Sequence, residues 1–492
     1  MDVKEIFSLM KNPSATDREL ITRALTFAQE AHEGQLRYSG EPYIIHPFNV
    51  ALLLAEFKAD AETIAAGLLH DTIEDSNIDA KELEKEFGSA VAFLVEGVTK
   101  LGKLKYQGAK RHSESLRKLF VAMAQDIRVI MIRLADRLHN VRTLQYVPKE
   151  KQKRIALETI ELYAPLANRL GVWKMKGRLE DASFPYAHPD DYKKVVELRK
   201  TKGKETIKRL QKIYRILQKA ITERGIENFE IDYRIKYLYS LYTKLLRKDM
   251  NIDDIYDISA LRVVVETIEE CYQVLGIVHS LWRPITGRLK DYIANPKPNG
   301  YQSIHTAVFT TDKTIVEIQI RTKKMQFEAE YGIASHAIYD ENGKKIKLGQ
   351  TPKNIEWIKE LINWQQEQEI KATQKNKFVE ELRKNFFHDR IFVFTPKGEV
   401  VELPDGASPI DFAYAIHSDI GNRAFGTKIN GKMSTLDAPL TNGDLVEILT
   451  NKNSEPRTKW LNFVKTADAK RHIRSFLHLK RQKEERLFGD LS

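Results

Sequence analysis

The 492-residue chain is 30% charged and carries 79 Lys and Arg against 68 Asp and Glu, a formal net charge of +11 that is modest for its length. That length predicts two to four domains, and the single cysteine, Cys271, excludes an intramolecular disulfide and a Cys-rich zinc site. No stretch approaches the roughly 18 apolar residues of a membrane span, and the N-terminus lacks a basic region followed by an apolar core, so an unexported, cytoplasmic protein with no membrane partner is expected.

The first 190 residues read as almost wholly helical, with apolar residues at 3–4 spacing from Leu20 to Phe27 and from Ile155 to Leu170, and turn signals at Gly40-Glu41-Pro42 and Gly88. Residues 67–75, Gly-Leu-Leu-His-Asp-Thr-Ile-Glu-Asp, crowd His70, Asp71, Glu74 and Asp75 into two helical turns at the end of an apolar stretch. Positions i, i+1, i+4 and i+5 share one side of a helix, and charges brought into a low-dielectric core need partners or a metal. His46, in Tyr-Ile-Ile-His-Pro, and Asp136, one turn before Asn140 in residues 133–143, are available partners. Two imidazoles and two carboxylates, His46, His70, Asp71 and Asp136, make a mixed N/O site suited to Mn, Zn or Fe. Glu74 and Asp75 then remain to orient or deprotonate an attacking water, which defines metal-assisted phosphoester hydrolysis. The His…His-Asp…Asp order on helices resembles the HD phosphohydrolase superfamily.

A basic amphipathic helix, about residues 192–223, leads into a region where strand-like runs alternate with helices: Leu261 to Val265, Ala307 to Thr311 and Thr314 to Ile320. Strand alternation puts Glu317, Gln319 and Arg321 on one face while Val316, Ile318 and Ile320 face a core. Asp257 opens a second such strand, with Arg262 five positions on. Carboxylates on neighbouring strands suit a Mg²⁺-dependent phosphoryl or nucleotidyl transfer, with Arg234, Lys236 and Lys244 neutralising phosphates and Ser240 a turn beyond Lys236. In the loop Asn295 to His305, Tyr301 offers a π-face for a base. Residues alone lead to a Mg-dependent phosphate-transfer domain that binds nucleotide.

Residues 341–385 are charged and Gln/Lys-rich, read as helix and linker. From Arg390 a β-grasp pattern begins: Ile391–Phe394 and Val400–Leu403 flank Lys397-Gly398, Ser408-Pro409-Ile410-Asp411 starts a helix, and Lys428 to Lys432 forms another hairpin. Residues 451–492 hold 11 Lys and Arg against 5 Asp and Glu, 11 − 5 = +6, which suggests an RNA-facing end.

Taken together, His-Asp-Thr-Ile-Glu-Asp (70–75), Leu-Ala-Asp-Arg-Leu-His-Asn-Val-Arg-Thr (134–143), Arg-Leu-Lys-Asp-Tyr-Ile-Ala (288–294), Pro-Asn-Gly-Tyr-Gln-Ser-Ile-His (298–305) and Glu-Ile-Gln-Ile-Arg-Thr (317–322) resemble the long RelA/SpoT homologues, the enzymes of the stringent response that make and destroy ppGpp and pppGpp. The resemblance implies a multidomain α and α+β chain. Its parts would be an all-helical HD-type hydrolase domain at 1–190, an α+β nucleotidyltransferase-like synthetase domain at 191–345, a helical linker at 346–387, a TGS β-grasp domain at 388–450, and a basic helical segment at 451–492 that begins a further regulatory region. It implies a pyrophosphokinase that transfers the β,γ-pyrophosphate of ATP to the 3′-hydroxyl of GDP or GTP, and a hydrolase that removes it.

Carried over by residue, His46, His70, Asp71 and Asp136 resemble the Mn²⁺ ligands, Glu74 and Asp75 act on the water, and Arg37, Asn140 and Thr143 hold the alarmone. Asp257 resembles the Mg²⁺ ligand, and Glu317 the residue that binds Mg²⁺ or activates the 3′-hydroxyl. Arg234, Lys236, Ser240 and Lys244 match the ATP-phosphate segment, Tyr301 the tyrosine that stacks on guanine, and Arg262, His305 and Gln319 further nucleotide contacts. Arg288 and Lys290 resemble the basic element of two-way enzymes. His417 matches the histidine that meets the 3′ end of uncharged tRNA, and thereby the ribosome. The chain departs from the family at Tyr38, Tyr233, Tyr237 and Ala337, and a hydrolase whose middle domain is only regulatory is the alternative. A tRNA nucleotidyltransferase needs Gly-Ser followed by Asp-x-Asp, a pair this sequence lacks.

Overall fold

The computed structural model describes residues 1–76, 78–102, 126–252, 255, 259–297, 299–310, 314–332, 390–441, 443–466 and 468–478. It divides into two compact units, residues 1–373 and 374–492. Asp257, Ala337 and the 341–385 segment lie outside the described residues.

Capping side chains and apolar spacing set the N-terminal helices: α1 (Val3–Leu9), α2 (Ala15–Ala31), α3 (Ile45–Glu56), α4 (Ala61–Leu69), α5 (Thr72–Asp75), α6 (Ala80–Phe87), α7 (Ser89–Gly102) and α8 (Arg128–Arg142). Asp2, Ser14, Asp60 and Asp79 each accept a backbone N–H at the start of α1, α2, α4 and α6. The core between α2, α3, α4 and α8 is aliphatic, with Ile21, Leu54, Ile64, Leu68, Ile132 and Leu138 buried. The helix expected over Ile155 to Leu170 is instead α9 (Lys149–Glu158), a π-helical turn at Thr159–Tyr163, and α10 (Ala164–Arg169). Pro165 has no N–H to return to the preceding turn, and the ladder widens before it.

Helix α11 (Trp173–Ala187) packs on α8 and α9 and, on its other side, against α13 and α15, defined below. The following α12 (Pro189–Glu223) runs 35 residues, starting earlier than the basic pattern indicated, and the expected domain boundary at 190–191 lies in its first turn. Its first half packs with Phe184 and α13 (Leu238–Leu246), its second half with the sheet.

The sheet contains β1 (Glu230–Ile235), β2 (Ser259–Val265), β3 (Arg283–Pro284), β4 (Lys290–Asp291), β5 (Ile304–Phe309) and β6 (Ile315–Thr322), with α14 (Ile268–Leu281) and α15 (Lys323–Tyr331). The order is β1-β2-β6-β5-β3, with β4 on β5; β2 and β6 are parallel and the other pairs antiparallel. Val316, Ile318 and Ile320 enter a core with α12 and α14, as alternation required. Gln319 and Arg321, expected to face a ligand, are only 1% and 3% exposed. The Arg321 guanidinium lies over the Tyr301 ring and donates to the Gln319 amide, so these two residues underlie the site.

Glu56 at the end of α3 ties that helix to α11. Arg178 of α11 binds it bidentately, 2.6 Å on one arm, and Lys174 lies at 3.0 Å. Burial alone would raise this carboxyl, but hydrogen bonds from Arg178 and Lys174 hold it at about 2. A depressed acid stabilises above its unfolded pKa and loses that contribution as pH falls through the folded value. Glu56→Gln should therefore cost about 2–3 kcal/mol at pH 7. In paired urea melts the gap between variant and parent should narrow steadily below about pH 4.5, toward nothing near pH 2.

The second unit pairs β7 (Arg390–Phe394) with β8 (Val400–Pro404), and places β9 (Ala424–Ile429) between β10 (Lys432–Ser434) and β11 (Val446–Thr450). Its helix α16 (Pro409–Ile416) opens on the expected capping box of Ser408 and Asp411. Asp411, 1% exposed, also accepts the backbone N–H groups of Lys465 (2.9 Å) and Thr466 (2.7 Å), which ties the basic segment to this helix. No helix among the described residues is long and apolar enough to cross a membrane.

Candidate active sites

His46 lies in the first turn of α3, His70 caps α4, and Asp136 sits midway along α8. All three are buried, and their ligand atoms lie within 4.8 Å of one another, the one such group among the described residues. A Cβ at Gly67 would stand 2.4 Å from the Leu54 side chain, so glycine is what allows α4 this close to α3. The continuous helix expected through residues 67–75 is broken at His70 and Asp71. Thr72 Oγ1 donates to Leu69 O (2.7 Å) and His70 Nδ1 to Gly67 O (2.8 Å), which absorbs carbonyls that the break frees.

Because a carbonyl only accepts, His70 carries its proton on Nδ1 and keeps a lone pair on Nε2. Among the described residues that buried Nε2 has no hydrogen-bond partner, although Asp71 Oδ1 lies 3.2 Å away. An orphaned lone pair aimed at a second imidazole and a carboxylate fits a divalent cation. His46 Nε2 lies 3.3 Å from Asp136 Oδ1 and 3.5 Å from Asp71 Oδ2, so Asp71 borders the cluster too. Asp71 also accepts from Tyr43 Oη at 3.0 Å; burial and that carboxylate push the phenol far above its usual range. Burial would raise Asp136, but the His46 hydrogen bond and the Arg133 charge hold it well below the ordinary carboxylate range. Glu74 is exposed by area, yet the protein around it and the Asp71 charge raise its carboxyl to about 7. The main-chain carbonyl of Asp75 accepts from Gln35 at 3.0 Å.

The three expected substrate residues of this site come together. Arg37 donates to Asn140 Oδ1 (3.3 Å) and Thr143 Oγ1 (3.4 Å), and also to His139 Nδ1 (3.0 Å). His139 was not among the expected residues. It is 8% exposed, and burial together with the His46 and Arg37 charges lowers its pKa to about 3, which keeps it neutral. The signal was present: Asp136, His139, Asn140 and Thr143 have the i, i+3, i+4, i+7 spacing of one helix face.

A second cavity, about 670 Å³, lies over the sheet's polar face. Of the expected residues, Arg234, Lys236, Ser240, Lys244, Arg262, Arg288, Lys290, Tyr301, His305 and Glu317 line it, while Gln319 does not. Arg234 is the next-to-last residue of β1, Lys236 occupies the link to α13, and Ser240 and Lys244 lie on α13. Arg262 is held by Asp232 (2.9 Å from Nε). His305 joins Tyr301 Oη (2.8 Å) to Glu317 (3.3 Å), and Gln319 donates to Glu317 at 2.8 Å. Burial would raise Glu317, but His305 and Gln319 hold it at about 2. Burial would likewise raise Tyr301, but Arg321, His305 and Arg234 pull its phenol down to about 7.

Tyr301 is not the open platform the sequence suggested. It is 8% exposed, with Trp173 5.6 Å away and the Lys297 ammonium over its ring at 5.3 Å. Trp173, Lys174, Lys176 and Glu180 of α11 also line the cavity, so a helix of the N-terminal region supplies one wall. Sequence reading missed these residues because nothing local marks which helix covers the sheet. Tyr237 rests on the same helix, where a Cβ at Gly177 would stand 2.1 Å from its ring. Gly177→Ala gains about 1 kcal/mol of helix propensity and loses about 1–3 to overpacking. The variant should melt no higher than the parent, because the ring of Tyr237 must give way; a higher melting temperature would contradict the contact.

In the second unit His417 closes α16 and heads α17 (Ser418–Asn422), with its side chain 63% exposed.

Residues 24–173 match the HD domain, residues 233–344 the region found in RelA / SpoT proteins, and residues 391–450 the TGS domain. The chain is 47% identical over 473 residues to a guanosine-3′,5′-bis(diphosphate) 3′-pyrophosphohydrolase of Aquifex aeolicus, 96% of this chain and 66% of that one. It is 45% identical over 463 residues to the bifunctional (p)ppGpp synthase/hydrolase SpoT of Escherichia coli K12, covering 94% and 65%. It is 44% identical over 467 residues to a guanosine-3′,5′-bis(diphosphate) 3′-pyrophosphohydrolase of Borreliella burgdorferi, covering 94% and 68%. The chain spans 61–66% of the length of three of its most similar curated relatives. With HD, RelA / SpoT and TGS regions in that order and this identity across two thirds of a relative, the chain belongs to the RelA/SpoT family.

Proposed function

We propose that this chain runs two opposed reactions. Over Glu317 it moves the β,γ-pyrophosphate of ATP to the 3′-hydroxyl of GDP or GTP, releasing AMP. At His46, His70 and Asp136 it hydrolyses that 3′-pyrophosphate, releasing GDP or GTP and pyrophosphate. The observation that carries the reading is the coexistence in one chain of a buried N/O cluster with an orphaned His70 Nε2 and a basic cavity over an ionised Glu317.

In the hydrolase, a divalent cation, Mn²⁺ in this reading, supplies Lewis acidity and acidifies an attacking water. His46, His70, Asp71 and Asp136 would hold it. Glu74, near 7, is suited to take a proton at neutral pH, and Asp75 orients the water beside it. Arg37, Asn140 and Thr143 bind the substrate's phosphates.

In the synthetase, Mg²⁺ would be held by Glu317 and Asp257. A carboxyl near 2 is a poor proton acceptor at neutral pH, which favours cation binding over proton abstraction for Glu317. Arg234, Lys236, Ser240 and Lys244 neutralise and position the ATP phosphates, and Arg262, Arg288, Lys290 and His305 supply further substrate contacts. Guanine stacks on Tyr301 once Lys297 withdraws from its face. His417 contacts uncharged tRNA and, through it, the ribosome.

Incubation with ATP, GDP and Mg²⁺, resolved by anion exchange, should yield AMP and ppGpp in equal amounts. Hydrolysis of added ppGpp without any synthesis would instead make the middle region regulatory.

A further inference from the structure

We propose that His139 is a positioning residue that sets the ring of His46 for cation binding, and that this same contact makes cation binding release Arg37 toward the anionic substrate. The inference rests on the reading of His46, His70 and Asp136 as a cation site.

The geometry presents a conflict over one lone pair. His46 turns Nε2 into the cluster, 3.3 Å from Asp136, and its Nδ1 the other way, 2.8 Å from His139 Nδ1. Arg37 Nη1 reaches that same His139 Nδ1 at 3.0 Å. A neutral ring nitrogen without hydrogen offers one lone pair in the ring plane, and a ring N–H offers none. Arginine is always a donor. His139 Nδ1 can therefore serve His46 or Arg37, but not both well.

Cation binding decides between them. A cation takes the His46 Nε2 lone pair, so the ring proton must stand on Nδ1 and must find an acceptor. His46 is 3% exposed, so water is a poor substitute, and His139 Nδ1 is the atom in place. Arg37 then gives up its shortest contact and keeps only those to Asn140 (3.3 Å) and Thr143 (3.4 Å). Both are residues that the proposed reaction uses for substrate. The site thus readies its anion-binding arginine when its cation is loaded, through two ring nitrogens.

Mn²⁺ binding to the whole chain, followed by calorimetry and by the loss of the free-Mn²⁺ EPR signal, tests this. Removing the partner of a metal-binding histidine should weaken affinity about 10- to 100-fold. His139→Ala should show that loss, and His139→Gln, which restores a carbonyl acceptor, should recover much of it. Arg37→Met, lacking the competing donor, should bind Mn²⁺ more tightly than the parent. That gain should disappear when Arg37→Met is added to His139→Ala, whereas simple removal of positive charge would tighten both backgrounds alike. Mn²⁺ affinity unchanged in His139→Ala would overturn the proposal, as would an Arg37→Met chain that weakens in parallel with it. If His139→Ala does not fold, His139→Gln and Arg37→Met alone decide, through opposite or parallel shifts. Failure of the unaltered chain to bind Mn²⁺ would overturn this inference together with the cation-site reading beneath it.

Discussion

Asp136→Asn is expected to lower ppGpp hydrolysis about 10³-fold or more and to leave synthesis standing. The carboxylate is buried on α8, accepts from Arg133 (2.9 Å) and Asn140, and lies 3.3 Å from His46 Nε2. The amide keeps the shape but removes the charge that offsets a divalent cation. Lewis-acid stabilisation is worth several kcal/mol, and about 1.4 kcal/mol is a factor of ten, which gives the expected loss. Stability should fall as well, because Arg133 loses its carboxylate partner in a buried setting. Synthesis should persist because Glu317, Arg234 and Tyr301 belong to the other cavity. Rates of pyrophosphate release and of AMP formation on the same preparation give the comparison.

The opposite pattern is expected of Glu317→Gln. Glu317 stands on the cavity side of β6, its carboxylate fixed by Gln319 and His305. Neutralising it removes an anionic ligand from a site whose chemistry is almost entirely positioning and charge neutralisation. Loss of one such electrostatic contribution typically costs 10²–10³ in rate, so synthesis should drop by about that factor while hydrolysis continues. Equal loss of both activities would mean that the variant had disturbed α11, which lines this cavity and packs on α8, rather than one site.

Much of this was legible from residue order. The His46, His70 and Asp136 set could be read because each ligand type sits in a short motif on a helix, and the strand at 315–322 because β-branched residues alternate with polar ones. What could not be read depends on tertiary approach. Arg321 lies against the Tyr301 ring from another loop, and Trp173 enters the second cavity because α11 lies across the sheet, whereas the break at His70-Asp71 is local, its freed carbonyls taken up by the His70 and Thr72 side chains. His139 falls between these cases: its helix face was visible, but its partner His46 lies 93 residues away.

If two separate sites in one chain make and destroy the same 3′-pyrophosphate, the two activities should part on mutation. The decisive measurement is AMP formation by Asp136→Asn, supplied with ATP in excess of GDP and with both Mg²⁺ and Mn²⁺. AMP should stop at one per GDP, since the product is never returned to GDP, and should resume when the Glu317→Gln chain is added. AMP that continues past one per GDP in Asp136→Asn alone, or that fails to resume on mixing, would contradict it.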